Sequence, residues 1–210
     1  GQWSTDFAID KDTYIRWFRY IKEMGANTIR IYTVQQDIFY EALYEYNKDN
    51  KDPLYVIHGV WVNDYIQNSH RDAYDKDFYN RFLKDCKTMI DVVHGQKKLS
   101  LSSMASAGHG NYRKDISQWV IGYILGVEWE DVTVAYTDDT YAGNRKYTAY
   151  TGRYMYTDEN ATAFEAMLCR TGDKVIEYEN LVFKIESVKD RRIEKVKLYI
   201  TPESSNGSEE

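Results

Sequence analysis

Three short stretches of the sequence gather residues that can do chemistry. Arg30, Tyr32 and Thr33 end the run from Ala26 to Thr33. Trp61, Asn63 and Asp64 close and follow the run from Leu54 to Trp61, and Glu128, Trp129 and Glu130 close and follow the run from Trp119 to Glu128. Each run is short and rich in apolar, β-branched or aromatic residues, the composition of a buried strand. An arginine, an amide, carboxyl groups and aromatic rings therefore stand at the ends of successive strands. Sugars offer apolar C–H faces to aromatic rings and hydroxyls to planar polar groups, so this mixture suits a carbohydrate better than a phosphate. The sequence has no Gly-x-Gly-x-x-Gly, no Walker-type phosphate loop, no Cys-x-x-Cys and no His-Glu-x-x-His, so no motif points to a cofactor or a metal.

The elements that would position these residues alternate along the chain. Ile15, Trp17, Phe18, Ile21 and Met24 recur at helical spacing, with Asp10 placed as N-cap and Gly25 at the C-terminal stop. A second helix carries Ile38, Phe39, Ala42, Leu43 and Tyr46. A third, capped by Asp75, carries Phe78, Phe82, Cys86, Ile90 and Val93 and stops at His94-Gly95. The Gly/Ser/Ala-rich stretch from Ser100 to Gly110 reads as loop. The Tyr/Thr/Asp segment from Thr133 to Asp158 has no clear periodicity and reads as a long functional loop.

A last helix begins near Asn160, where Thr162 and Glu165 have capping-box spacing, and shows Phe164, Met167, Leu168, Val175 and Ile176 on one face. Leu181 to Val188 and Ile193 to Thr201 read as a hairpin around Lys189 to Arg192, and residues 202–210 as a disordered tail. Strands separated by helices imply parallel pairing and an α/β class. Three such strands are too few to close an eight-stranded barrel, so the expected fold is a partial or truncated (β/α) barrel over residues 1–180. A hairpin extension over 181–201 and the tail over 202–210 follow it.

Composition narrows the function classes. A chain of 210 residues that is 43% hydrophobic can bury one sizeable core, and its net charge of −6 argues against nucleic acid or an anionic membrane surface, both of which need a cationic face. No apolar run reaches the length of a spanning helix, and Gly1 to Ser4 do not begin a basic-then-apolar leader. Cys86 and Cys169 fall on apolar helix stripes and read as buried thiols rather than as a disulfide or metal ligands. His58, inside an apolar strand, reads as a core histidine, and His109, between glycines, as exposed loop. Trp61 and Trp129 fit a sugar-stacking role and a packing role about equally. Glu128 could also be a strand-end carboxylate paired with a lysine or with Arg30.

Some of these segments resemble a known family. Gly25-Ala-Asn-Thr-Ile-Arg-Ile-Tyr32 is similar to the second-strand signature of the large clan of retaining glycoside hydrolases with (β/α)8 barrels. Ile121-Gly-Tyr-Ile-Leu-Gly-Val-Glu-Trp129 resembles that clan's fourth-strand acid/base segment. Tyr150-Thr-Gly-Arg-Tyr154 and Asn160-Ala-Thr-Ala-Phe-Glu165 resemble bacterial glycosidase-like proteins of the same type, so the similar stretches span most of residues 1–180. The resemblance implies that Glu128 is the general acid/base and Arg30 the arginine that holds the nucleophile. Tyr32, Trp61, Asn63 and Trp129 would then line the substrate cleft, in a bacterial extracellular or cell-envelope setting. Two departures stand out. Val127 occupies the place where many clan members carry an asparagine for the sugar 2-hydroxyl. The nucleophile, which a retaining mechanism places about 5 to 5.5 Å from the acid, belongs to a late strand that this sequence lacks.

Three functions are therefore expected in turn. The first is a glycoside-hydrolase-like unit that acts on a β-linked glycan, or derives from an enzyme that does. The second is a non-catalytic carbohydrate-binding or envelope interaction module. The third is a structural domain that forms a homo-oligomer through an open sheet edge.

Overall fold

In the computed structural model the described residues are 9–62, 71–100, 108–141, 163–176, 181–189 and 192–200. They divide between two compact units, Gly1–Thr140 and Tyr141–Glu210.

The first unit opens with helix α1 (Lys11–Glu23). The Asp10 carboxylate caps it by accepting from the Thr13 N–H at 2.8 Å, and Gly25 leaves it at φ +85°. An exposed backbone N–H at a helix start and a left-handed residue at its end need these two residue types, which is why the ends were readable in advance. Strand β1 (Thr28–Ile31), helix α2 (Asp37–Asn47), strand β2 (Tyr55–Trp61) and helix α3 (Lys76–Val93) follow, with Asp75 capping α3 through the N–H groups of Asp77 and Phe78.

Two short strands come next, β3 (Lys97–Leu99) and β4 (Gly110–Tyr112), paired antiparallel. Gly110, expected within a loop, instead begins a strand; residues 101–107 lie outside the described residues. A 3-10 turn (Ser117–Trp119) leads into strand β5 (Val120–Val127). Helix α4 (Asp131–Tyr141) closes the series. It corrects the expectation of a loop from Thr133. Its inward residues are Thr133 and Thr137, both fully buried, so no apolar stripe announces the helix. The Thr137 hydroxyl makes its burial tolerable by accepting from the Ala73 N–H at 2.9 Å.

β1, β2 and β5 form one parallel sheet in that order. Ile29 stands opposite Val56 and Ile31 opposite His58, so these residues share a face. That face meets a core of Phe18 from α1, Phe39, Tyr40 and Leu43 from α2, and Val92 and Val93 from the end of α3. Phe39 meets Phe18 edge-on at 5.8 Å and Tyr14 edge-on at 5.5 Å, which locks α1 to α2. The α/β class with parallel strands and intervening helices is thus present. Among the described residues the sheet is open, with β1 and β5 as its outer strands.

In the second unit, helix α5 (Ala163–Ile176) buries Ala163, Phe164, Ala166, Met167 and Thr171. Strands β6 (Leu181–Lys189) and β7 (Arg192–Ile200) pair antiparallel, within a residue or two of the expected hairpin. Residues 142–162 and the expected tail at 202–210 lie outside the described residues.

Candidate functional site

Parallel strands present their C-terminal ends on one side of a sheet, and in open α/β sheets that is where ligands bind. Here those ends carry Arg30 and Tyr32 beside β1, Trp61 on β2, and Glu128 after β5. Three of the predicted residues are brought together. The Arg30 guanidinium lies 4.6 Å from the centre of the Tyr32 ring and donates to the Tyr32 hydroxyl. The Tyr32 ring is 6.3 Å from that of Trp61. A planar cation and two rings thus form one continuous surface across adjacent strands, held by cation–π and ring contacts. Tyr32 is 38% exposed and Arg30 is also exposed, so the surface is open to solvent. Arg30 closes no ion pair among the described residues, which removes the simple pairing of Arg30 with Glu128.

Gly59 makes this convergence possible. A Cβ there would lie 2.7 Å from a Val127 methyl and 2.8 Å from the Tyr32 carbonyl oxygen, so any larger residue would push apart the three strand ends. The sequence signal for this approach is a glycine inside the strand run Val56 to Val60.

Glu128 is exposed and stands just beyond β5 with φ +58°, in the left-handed region that an L-residue with a long side chain rarely occupies. Such backbone costs on the order of 1 kcal/mol and persists only where surrounding structure imposes it. The cause is visible on both sides. Gly126 also has φ +81°, and the Trp129 indole folds back over it; a Cβ on residue 126 would sit 2.3 Å from that ring. The indole N–H donates to the Leu125 carbonyl at 3.2 Å, and the ring packs edge-on to Phe82 at 5.0 Å and tilted against Phe78 at 5.9 Å. Trp129 thus anchors the end of β5 to α3, and the chain turns Glu128 outward between two fixed points. The Glu130 carbonyl accepts from the N–H groups of Thr133 and Val134, so Glu130 starts α4. Asn63 and Asp64, expected at the end of β2, lie outside the described residues.

The turn after Tyr32 is held by a chain of partly to fully buried polar groups that no local sequence pattern announces. The Gln35 N–H donates to the Tyr40 hydroxyl at 3.3 Å, and the Tyr112 hydroxyl donates to the Gln35 carbonyl at 2.7 Å. Asp37, at the start of α2, accepts from the Asn111 N–H at 2.7 Å. The turn that follows Tyr32 is therefore tied to α2 and β4. His58, fully buried, completes the chain beside Tyr40, and burial lowers its pKa to about 4. It is neutral at physiological pH, as a core histidine should be. Burial likewise pushes the Cys86 thiol well up, so it is inert.

Among the described residues, no group of three or more His, Cys, Asp or Glu could hold a metal ion, and no helix is long and apolar enough to cross a membrane. Compared with known proteins, the chain matches no family model, no curated protein and no solved structure at a significant level.

Proposed function

We propose that the C-terminal edge of the parallel sheet is a carbohydrate-binding surface, in a partial (β/α) barrel related to retaining glycoside hydrolases that act on β-linked glycans. The observation that carries this is the Arg30–Tyr32–Trp61 surface: a guanidinium, an exposed Tyr32 ring and a half-buried Trp61 ring at the ends of neighbouring parallel strands. Aromatic faces take sugar C–H surfaces, and the guanidinium donors take hydroxyl oxygens. Strand order in the sheet follows chain order, without the reversal typical of doubly wound folds, which supports a barrel-like arrangement. In this reading Glu128 would be the general acid, and its left-handed backbone is the kind of strain that collects at functional sites. Turnover would need a second carboxylate about 5 to 5.5 Å away. The described strands after β5 pair with each other antiparallel and do not extend the parallel series, so recognition is the function proposed for this chain.

A glycan array tests this directly. Binding to β-linked oligosaccharides is expected, falling about tenfold or more in both Tyr32→Ala and Trp61→Ala, with far-UV circular dichroism unchanged. Absence of binding to any glycan, or binding indifferent to both substitutions, overturns it.

A further inference from the structure

Helix α1 turns one flank inward and another outward. Phe18 and Tyr14 meet α2, while Tyr20, two residues from Phe18, lies about 200° around the helix from it. On that far flank Trp17 is 41% exposed, Tyr20 53% and Met24 77%, at i, i+3 and i+7. Three large apolar side chains in one stripe, on a helix whose other face is well packed, form an unpartnered surface of the type that marks an interface.

The residues beside the stripe say what covers it. Arg16 and Glu23 are both exposed and flank the stripe on the same side, one near each end. Neither closes a salt bridge among the described residues, although Arg16 adds a little to the lowering of the Asp10 pKa that the hydrogen bonds from Thr13 mainly cause. Tyr20 sits about midway between Arg16 and Glu23, and also about midway between Trp17 and Met24. Such a pattern is its own complement when reversed. Two copies of α1 laid antiparallel about a twofold axis at Tyr20 would place Trp17 on Met24 of the other copy and Arg16 opposite its Glu23, twice over. We infer that α1 is a self-association surface and that its occupant is α1 of a second copy of this chain. The aromatic stripe supplies the attraction, and the opposed charges select the antiparallel register.

The contact is small, so a weak dimer with Kd on the order of 10 µM is expected. Sedimentation equilibrium of the full chain from about 1 to about 500 µM should show mass rising toward twice the monomer. Tyr20→Glu should stay monomeric throughout with unchanged far-UV circular dichroism. Arg16→Glu and Glu23→Arg should each associate about tenfold more weakly, because like charges then meet across the axis. A mixture of these two variants should recover wild-type affinity, since each supplies the charge that the other needs. A wild-type chain that is monomeric over the whole range overturns the inference. So does a dimer insensitive to Tyr20→Glu, which would place association elsewhere, or a mixture no tighter than either variant alone.

Discussion

The hydroxyl of Tyr40 lies 2.7 Å from Nε2 of His58, while Nδ1 of the same ring is 3.0 Å from the Gly59 carbonyl. A carbonyl can only accept, so Nδ1 carries the proton and Nε2 accepts from Tyr40. This pair joins α2 to the middle strand, and because it is buried it titrates only at a cost to the fold.

That cost has a sign. His58 has a folded-state pKa of about 4 against an ordinary 6.5, mainly through burial, so between those values the unfolded chain binds more protons than the folded one. Stability is therefore full above about pH 6.5 and declines as pH falls toward about 4, by on the order of 3 kcal/mol. Thermal melts across that window should show the fall, and His58→Gln should lose this part of the slope. A wild-type melting temperature flat from about pH 6.5 to about pH 4.5 would contradict it.

Asn47 makes a second prediction. Its side-chain amide donates to the Leu54 carbonyl at 2.8 Å and accepts from the Leu54 N–H at 2.9 Å, closing the turn from α2 into β2. The residue is only 2% exposed, so Asn47→Asp replaces a buried donor with a carboxylate facing a carbonyl oxygen. A loss of about 2 to 3 kcal/mol is expected in urea unfolding, larger than for an exposed asparagine such as Asn27.

For Trp129, packing and sugar stacking predict different outcomes. Because its indole bonds to Leu125 and sits against Phe78 and Phe82, Trp129→Ala should cost about 3 kcal/mol of stability. Gly126→Ala should also destabilise, by about 2 kcal/mol, through both its left-handed backbone and the collision with the indole. If Trp129→Ala leaves unfolding unchanged and abolishes glycan binding alone, the anchoring role is wrong.

The strain at Glu128 can be isolated by comparing two truncations. Glu128→Gly and Glu128→Ala both remove the carboxylate, but only glycine adopts φ +58° freely. The glycine variant should be about 1 kcal/mol more stable than the alanine variant. Equal stabilities would mean that the backbone relaxes at this position and stores nothing.

Much of the local structure was determined by the sequence alone. Asp10 and Asp75 mark helix starts and Gly25 and Gly95 helix stops, because orphan N–H groups need an acceptor and a left-handed residue favours glycine. The three β-branched and aromatic runs became the three parallel strands, and helices between them required that pairing. Helix α4 was hidden because its inward positions are threonines rather than an apolar stripe, and the Thr137 hydroxyl finds its partner in Ala73, far away in the chain.

The strand ends show the same division more sharply. Sequence placed Arg30, Tyr32, Trp61, Glu128 and Trp129 near one edge; only the tertiary structure decided which of them meet. The register between β2 and β5 shifts near Gly59 and Trp61, and a shift of one residue exchanges the faces of every side chain beyond it. Close approach at Gly59 draws Tyr32 toward Trp61, and the left-handed turn through Gly126 and Glu128 sends Trp129 back onto α3. Helix caps are satisfied within a few residues, whereas these contacts join positions about thirty to seventy apart, and no local pattern specifies them.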